Sequence, residues 1–498
     1  MELKYLPLSS QVFEAVVGSR SLYVDKTAYI HKMVTQGHSV ETGITSCPKF
    51  FLSRPRRFGK SMTLSTLQAV FEGKRDLFQG LALGDTDYEF ETYPILKLDF
   101  SALGKSPADL RHSLQSSLDD VAKIHNINFG EKTLISEKTE CILRGLKQNW
   151  VVLIDEYDAP LLDALKEPDE AGRSQKSKAI IEILREFYLT LKANDASLRL
   201  IFITGVSKFS QVSVFSGLNN LQDISMSEDY AGLCGYTQKE LQANFQPYIR
   251  RLARKRKLTV KETLANLKFY YNGYRFSPES ETKVYNPFSV LHSLENKKFD
   301  TKWFQSGTPS FLINWISREE QPLDDIEGKL VDDRAFSAKE PHQMELIGMM
   351  IQTGYLTIQK VDMKAGRYYL DYPNYEVKEG FIEGLLSYFS KIPSTNLTQR
   401  LDDWKDYVAG GNWDPFFREF NRMLATVPYH LHMAKEAYYH SIFHCVIVLL
   451  GLRIQSELAT SRGRIDTFIE TQDACWIFEF KYTENEAEHD DRLEHAFG

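Results

Sequence analysis

The feature that most constrains the fold is an alternation of apolar runs with helix-like segments through the first 230 residues. The apolar runs lie at 49–53, 95–100, 150–156 and 198–205. Residues 62–71 have helical spacing and are followed by Gly73, and Ser106 before Pro107 is typical of a helix start, which predicts a helix to about His125. Apolar strands separated by helices predict an α/β fold with a parallel sheet covered on both faces.

Gly59-Lys60-Ser61 stands at the turn from the first of these strands into the next helix. Binding a phosphate needs backbone N–H groups at a helix N-terminus, a lysine for the β and γ oxygens, and a hydroxyl that holds Mg²⁺. The tripeptide alone occurs by chance in roughly a quarter of chains this long. The strand at 150–156 ends in Asp155-Glu156, where Asp155 would hold Mg²⁺ and Glu156 would polarise the attacking water. By itself such a pair is more often a solvated strand end, but the two elements together predict a nucleotide site.

The loop before Gly59 departs from the pattern GxxxxGK[ST]. Arg54 stands where the first glycine is expected, and Pro55, Arg56 and Arg57 follow it. The three arginines add positive charge for a phosphate, but the loop geometry cannot be assumed. The sequence therefore predicts nucleotide binding and leaves fast hydrolysis open.

Several blocks within about residues 1–230 resemble, in the same order, the bacterial and archaeal AAA-ATPase-like family. These blocks are 23–27 (YVDKT), 53–61 (SRPRRFGKS), 153–160 (LIDEYDAP), 203–209 (ITGVSKF) and 215–220 (FSGLNN). The family's usual loop is itself RPRRFGKS, so Arg54 is a family trait. The resemblance implies a P-loop ATPase sheet of the additional-strand type that uses ATP and Mg²⁺.

The resemblance also implies which residues meet the nucleotide. Tyr23, Asp25 and Lys26 would lie near it, Thr204 would be the sensor at the end of the fourth strand, and Lys208 is a weaker candidate for a γ-phosphate contact. Ser61 and Asp155 are the expected metal ligands. The set predicted to bind the nucleotide comprises Tyr23, Asp25, Lys26, Arg56, Arg57, Phe58, Gly59, Lys60, Ser61, Met62, Asp155 and Thr204.

The middle of the chain predicts a helical lid followed by a winged-helix-like module. Thr237 and Glu240 form a capping-box pattern at the start of a helix. Farther along, 250–257 carries six cations in eight residues, for which a solvated helix face is the default and contact with nucleic acid or an acidic partner is the alternative. Residues 344–353 have helical spacing up to Gly354, and a strand pair follows at 355–360 and 367–372. Modules of this order bind DNA or serve as packing spacers.

The C-terminal segment carries two acids and a lysine on neighbouring strands. A turn leads into a strand with Asp466, and 475–481 alternates so that Glu479 and Lys481 share a face. Asp466 and Glu479 would hold a hard divalent cation, and Lys481 would orient water or stabilise charge on a phosphodiester. Taken alone, a cross-strand Glu/Lys pair on an exposed face is the simpler interpretation.

This spacing, Asp-x12-Glu-x-Lys, resembles the PD-(D/E)xK nuclease superfamily. SRGRID and IFEFK match the nuclease-like domain that usually follows this ATPase family, and Glu436 corresponds to the helix acid of the pattern. The superfamily core continues after the lysine strand with a helix that often bears a glutamine, where this chain has His495, and with another strand. Because the sequence ends at Gly498, we expect a nuclease-like domain that stops short of these closing elements.

Composition narrows the class of protein. A net charge of −7 argues against a histone-like protein held on nucleic acid by bulk charge. Five scattered cysteines without a CxxC pair, the absence of a secretory pattern and an apolar run far shorter than the roughly 20 residues of a membrane span predict a cytoplasmic protein with no membrane partner. The expected domains are the P-loop ATPase at 1–232, the helical and winged-helix-like middle at 233–384, and an α/β restriction-endonuclease-like domain at 385–498.

Two hypotheses from different classes follow. The first is a nucleotide-regulated, Mg²⁺-dependent nuclease, in which Glu156 serves ATP hydrolysis while Glu436, Asp466, Glu479 and Lys481 serve cleavage of DNA or RNA. The rival is a signalling switch or scaffold, a homo-oligomer assembled by nucleotide with a catalytically silent nuclease-like domain. A DNA-binding regulator acting through the winged-helix-like module is a third hypothesis.

Overall fold

The computed structural model describes residues 3–8, 10–37, 46–209, 215, 218, 220–301, 303, 312, 315, 328–336, 345–390, 394–425, 436–460, 463–470 and 474–480. It divides into two compact units. The first unit comprises Met1–Lys302 and Leu330–Tyr369, and the second comprises Trp303–Lys329 and Leu370–Gly498. The predicted division into three domains stays a prediction. Among the described residues, no helix is both long and apolar enough to cross a membrane.

A five-stranded parallel sheet forms the centre of the first unit. Its strands are β1 (Lys49–Ser53), β2 (Ile95–Asp99), β3 (Trp150–Asp155), β4 (Leu198–Gly205) and β5 (Leu221–Asp223). The order is β2-β3-β4-β1-β5, so β4 lies between the strand before Lys60 and the strand that ends at Asp155. Each neighbouring pair is parallel. This order confirms the predicted additional-strand sheet. Because β1, β3 and β4 are almost wholly buried, they are mostly apolar rather than alternating.

Helices accompany this sheet and extend beyond it. They are α1 (Phe13–Gly18), α2 (Thr27–Thr35), α3 (Lys60–Phe71), α4 (Pro107–Ile124), α5 (Ile135–Gly145), α6 (Ala159–Ala164), α7 (Glu170–Ala193), α8 (Gln238–Arg256), α9 (Val260–Tyr271) and α10 (Pro287–Asn296). Ser106 caps α4 by accepting the Asp109 N–H at 3.1 Å, and Pro107 is its first residue, as predicted. Thr237 and Glu240 form the predicted capping box of α8.

The helices α8, α9 and α10 share a core with the N-terminal segment. Leu22 and Val24 pack with Phe245 and Ile249 of α8 and with Tyr271 of α9. Burying apolar side chains of this size stabilises the fold by roughly 1.5–3 kcal/mol each. A short ribbon of β6 (Tyr236–Thr237) and β7 (Val284–Tyr285) closes the same region.

The predicted helix and strand pair of the middle module are present. Helix α11 (Leu346–Thr353) ends at Gly354, whose φ of 86° is the left-handed geometry that favours glycine. The sheet that follows has the order β8-β10-β9. Its strands are β8 (Leu330–Val331), β9 (Thr357–Asp362) and β10 (Arg367–Asp371).

In the second unit, helices precede an antiparallel sheet. The helices are α12 (Tyr375–Ser390), α13 (Ser394–Ala409), α14 (Trp413–Ala425) and α15 (Glu436–Leu449), and the strands are β11 (Arg453–Thr460), β12 (Gly463–Glu470) and β13 (Cys475–Phe478). The sheet order is β11-β12-β13, with both pairs antiparallel. Phe416 and Phe443 join α14 to α15, and Phe443 also contacts Phe478, so aromatic side chains hold helices and sheet together.

Candidate functional sites

The turn between β1 and α3 has the geometry of a phosphate-binding loop. Arg57 and Gly59 have φ values of 68° and 99°. Glycine suits position 59 because an L side chain would be strained at this φ. Arg57 is not a glycine, so its backbone keeps that strain. Gly59 is the N-cap of α3, so the first backbone N–H groups of that helix face the loop.

Lys60 is buried at the base of this loop. Its ammonium donates to the carbonyl oxygens of Arg54 at 2.9 Å and Pro55 at 3.1 Å. Burial lowers the pKa of Lys60, while the nearby Glu156, Asp155 and Asp158 oppose that change. The negative charges at and just after the end of β3 therefore act on this lysine.

Asp155 is held at the end of β3 by its neighbours. Its Oδ1 accepts the Thr204 hydroxyl at 2.5 Å and the Glu156 N–H at 3.1 Å. Within the described part of the chain, neither Oδ2 of Asp155 nor the hydroxyl of Ser61 has a hydrogen-bond partner. These two oxygens are of the type that Mg²⁺ prefers, so the residues present fit a metal–nucleotide complex.

Glu156 occupies a strained backbone position beside Asp155. Its φ is 48°, in the left-handed region that non-glycine residues rarely adopt. Burial raises the pKa of Glu156, and the positive charge of Lys60 partly offsets this. A carboxylate with a raised pKa next to a phosphate loop has the properties of a proton acceptor.

Asp158 supports the same region and was missed as a site residue in the sequence. It is 1% exposed and accepts the N–H groups of Val206 and Ser207, the latter at 2.6 Å, together with the Ser207 hydroxyl. A Cβ at Gly205 would lie 2.6 Å from the Tyr157 ring. Only a residue without a side chain therefore lets the end of β4 pack this closely against Tyr157. The sequence did contain a sign of this role, because Asp158 is the second aspartate of the block LIDEYDAP at 153–160.

The residues predicted at 23–26 lie beside α3 and α8. Burial raises the pKa of Tyr23, and the nearby Thr66 side chain of α3 opposes that change. Asp25 accepts the N–H of Thr27, the first residue of α2, at 2.8 Å and accepts the Ala82 N–H through its other oxygen.

Lys26 is engaged by α8. Its ammonium donates to Glu240 at 2.6 Å and to the Gly232 carbonyl at 2.6 Å. Burial lowers its pKa, and Glu240 opposes the shift. In this structure Asp25 and Lys26 bind protein groups, and their role toward a nucleotide stays a prediction.

Of the three arginines of the loop, Arg54 is buried, whereas Arg56 and Arg57 are exposed. Arg54, 2% exposed, donates to the carbonyls of Ser53 and Ser225 and lies 4.1 Å from the Phe276 ring. Burial lowers the pKa of Arg54 to about 10. Its side chain thus fastens the start of the loop to the segment after β5, which a glycine there would not do.

The rest of the loop presents different groups. Arg56 and Arg57 are exposed, and Met62 is half-buried on the first turn of α3. The Phe58 ring is buried against Tyr274, at 4.7 Å between ring centroids. Of the predicted loop residues, the two arginines therefore face solvent, while Phe58 anchors the loop.

Lys208 links the strand end to α11. Its ammonium pairs with Asp223 at 2.5 Å, and its backbone N–H donates to the Gln352 side chain at 2.7 Å. A Cβ at Gly354, just after α11, would lie 2.7 Å from Pro55 of the phosphate loop. The end of α11 therefore touches both the phosphate loop and the segment after β4.

The structure brings together the predicted acids of the second unit. Thr467 is opposite Phe478 in the register of β12 and β13, which places Asp466 next to Glu479. The Asp466 N–H donates to Glu479 Oε1 at 3.4 Å, and the Phe480 N–H donates to Asp466 Oδ2 at 2.8 Å. Both acids are half-buried.

The remaining predicted nuclease residues are only partly described. Glu436 begins α15, while Lys481 and His495 lie outside the described residues. Sequence reasoning did not select His440, whose Nε2 lies 2.6 Å from the Thr467 hydroxyl. Among the residues that the structure describes, no group of three His, Cys, Asp or Glu side chains is arranged to hold a metal ion.

Comparison with known proteins agrees with this geometry. Residues 7–215 match the family model described as Predicted AAA-ATPase, and residues 434–497 match the model described as PD-(D/E)XK nuclease superfamily. A protein of Azotobacter chroococcum mcd 1, described as "Uncharacterized protein in vnfD 5'region", is 33% identical over 496 residues, which cover 97% of this chain and 90% of that protein. The chain belongs to the AAA-ATPase-like family.

Both resemblances found in the sequence are thereby confirmed. This AAA-ATPase-like protein joins an ATPase domain to a C-terminal PD-(D/E)XK nuclease-like domain. The two kinds of domain use, in general, a nucleotide and a divalent metal ion. The matched ATPase region contains Lys60, Asp155 and Thr204, and the matched nuclease region contains Asp466 and Glu479.

Proposed function

We propose that this AAA-ATPase-like protein is an ATP-hydrolysing, nucleotide-regulated nuclease that uses Mg²⁺ to cleave DNA or RNA. The observation that carries the ATPase part is the buried arrangement of Lys60, Asp155 and Thr204 at the ends of β1, β3 and β4. Burying charged and polar side chains costs free energy unless they have partners, so a buried cluster of them at strand ends is typical of a binding site. The five cysteines, all free thiols, support a reducing cytoplasmic location.

At the nucleotide site, Ser61 and Asp155 would hold Mg²⁺, which would neutralise charge on the phosphates. Lys60 would exchange its two carbonyl partners for phosphate oxygens, and the N–H groups after Gly59 would donate to the same phosphates. Glu156 would accept a proton from the attacking water, which its raised pKa favours. Thr204 would keep Asp155 oriented.

For the nuclease part, Asp466 and Glu479 would hold the metal ion and Lys481 would stabilise charge on the phosphodiester. Glu436 would add a carboxylate from the start of α15. The adjacency of Asp466 and Glu479 across β12 and β13 supports this assignment.

Regulation would begin at Lys208. A γ-phosphate would compete with Asp223 for its ammonium, and the bond from the Lys208 N–H to Gln352 would pass the change to α11. Because β10 ends in the second unit and is followed along the chain by α12, a shift of α11 and its sheet would reach residues of the second unit through the chain itself.

The test uses the purified full chain with Mg²⁺, ATP and labelled DNA or RNA, in three forms: wild type, Lys60→Ala and Asp466→Ala. We expect cleavage by the wild type, none by Asp466→Ala, and loss of its ATP dependence in Lys60→Ala. Glu470→Gln, which alters an exposed acid of the same strand β12, is the matched control and should cleave normally. ATP binding by Lys60→Ala equal to wild type would contradict the phosphate-site assignment.

A second candidate is a nucleotide-driven switch or scaffold with a silent nuclease-like domain. It is favoured by the finding that, within the described residues, no three acidic, cysteine or histidine side chains form a metal-binding group. ATP-dependent assembly into a homo-oligomer, with no cleavage in Mg²⁺ or Mn²⁺, would support this candidate over the nuclease.

A further inference from the structure

The C-terminal end of α8 forms a strongly basic surface that the proposed chemistry does not use. We call it the α8 basic end, and it comprises Arg250, Arg251, Arg254, Lys255, Arg256 and Lys257. All six side chains are exposed, while Leu252 and Ala253 between them are buried in the core with α9 and α10. The cations therefore project away from the core that the helix helps to build.

Acidic neighbours do not neutralise this surface. None of the six cations has an ion pair with a residue of the part of the chain that the structure describes. The Arg256 Nε donates to the carbonyl oxygen of Lys297, at 2.9 Å. Because Lys257 and Lys297 are the C-caps of α8 and α10, both with φ of 55°, two helix ends meet here and add a seventh cation.

Helix stabilisation does not account for the charge. Cations in the last turn of a helix are favourable, but the effect falls off within that turn, and Arg250 and Arg251 precede it. Arg250 is four residues before Arg254, and Arg251 is four before Lys255. Like charges at that spacing repel each other and destabilise the helix. Arg250 and Arg251 therefore gain nothing from the helix end, and a nearby anion would relieve the repulsion among these cations.

The partner must carry several negative charges and need no apolar pocket. The basic end itself, from residue 250 to residue 257, exposes no large apolar side chain, so its own contact with a partner is through charge. Arg250 and Arg254 are about 6 Å apart along the helix axis, at about 1.5 Å per residue. Duplex nucleic acid presents about one charge per 1.7 Å of its length, so several of these cations can contact phosphates together.

We infer that the α8 basic end binds the sugar-phosphate backbone of a nucleic acid without regard to base sequence. This inference rests on the proposed function in one respect: the nucleic acid held here would be the substrate of the nuclease-like domain. The cations supply charge and no base-reading geometry, so binding should be general and dependent on salt.

The experiment measures fluorescence anisotropy of labelled duplex DNA and duplex RNA of mixed sequence, with the full chain in EDTA so that nothing is cut. The test variant is Arg250→Gln/Arg251→Gln/Arg254→Gln. The matched control is Lys105→Gln/Lys147→Gln/Lys178→Gln, which removes the same charge from exposed lysines of the same unit. A third variant, Arg250→Lys/Arg251→Lys/Arg254→Lys, keeps the charge.

We expect the test variant to bind of the order of 100-fold more weakly at 100 mM KCl, and the slope of log affinity against log salt to fall by about 3, near 0.9 per lost phosphate contact. The control and the lysine variant should bind within about threefold of wild type, since the contacts are electrostatic. The DNA and RNA arms decide which nucleic acid is preferred.

The inference is overturned if the test variant binds like wild type, if the control loses as much affinity, or if the wild type binds neither nucleic acid, in which case an acidic protein becomes the partner to examine. Cleavage in Mg²⁺ separates this result from the proposed function. Binding through the α8 basic end without cleavage by wild type refutes the nuclease alone, whereas cleavage with unchanged binding by the test variant refutes the surface alone.

Discussion

Asp155 and Asp466 are both acids on sheet strands, but their surroundings differ. Asp155 is 7% exposed, lies beside a central strand of a parallel sheet, and is oriented by the Thr204 hydroxyl and near the Lys60 ammonium. Asp466 is half-buried on an antiparallel strand and receives the N–H of Phe480. The first acid accepts the Thr204 hydroxyl of β4 and the N–H of Glu156, whereas the second accepts the N–H of Phe480, just after β13.

This difference indicates which site is organised before a ligand arrives. In the ATPase domain, Asp155 is oriented by buried hydrogen bonds that are already formed, so this acid needs little rearrangement when a nucleotide binds. In the nuclease-like domain, Asp466 and Glu479 each accept a backbone N–H as well, but both are half-buried and so are more exposed than Asp155. Substitutions of the acids should therefore cost more folding stability in the first site.

The largest expected effect is on ATP hydrolysis by Glu156→Gln. An amide cannot accept the proton of the attacking water, so the rate should fall by about 10²- to 10⁴-fold. ATP affinity should stay within about threefold, because the phosphates are held by Lys60 and the loop. Steady-state phosphate release and nucleotide titration measure the two quantities. Glu182→Gln, on the exposed side of α7, should leave both unchanged; hydrolysis by Glu156→Gln at the wild-type rate would remove Glu156 from the mechanism.

The next largest effect is on the free energy of unfolding, and it should differ between the ATPase domain and the nuclease-like domain. Asp158→Ala leaves the N–H groups of Val206 and Ser207 and the Ser207 hydroxyl without their partner in a buried position. The expected loss is about 3 kcal/mol in the free energy of unfolding, or roughly 5–10 °C in melting temperature. Asp466→Ala should cost less than about 1 kcal/mol, because Asp466 is only half-buried. Calorimetry of both variants measures this contrast, and equal losses would contradict it.

A smaller effect is expected from Thr204→Val, which keeps the shape of the side chain but removes the hydroxyl bound to Asp155. Losing one hydrogen bond to a charged group costs about 1.5 kcal/mol, so hydrolysis should fall about tenfold. Thr204→Ser retains the hydroxyl and should restore most of the rate. If the valine and serine variants are equally slow, packing rather than orientation of Asp155 explains the loss.

The sequence predicted those parts of the site that are determined by residues close together along the chain. β1, the turn at Gly59 and the acids that end β3 are each encoded within a few neighbouring residues, and they were found. The pairing of Lys26 with Glu240, across 214 residues, and of Asp158 with Ser207, across 49, depends on which strands and helices become neighbours. The buried position of Arg54 could not be predicted either, because its carbonyl partner Ser225 follows a different strand, β5.

The smallest effect concerns the pH dependence of hydrolysis. Burial raises the pKa of Glu156 above its usual 4.5, and Lys60 opposes this only in part. The carboxylate is the active form, so activity should be full at high pH and should fall as pH decreases through the raised pKa, by up to about tenfold per pH unit below it. The inflection of kcat should therefore lie above pH 4.5. In Lys60→Ala the opposing positive charge is absent, so the pKa of Glu156 should rise further and the inflection, measured at saturating ATP, should move to higher pH. An inflection that moves to lower pH would mean that the titrating group is not a carboxylate beside Lys60.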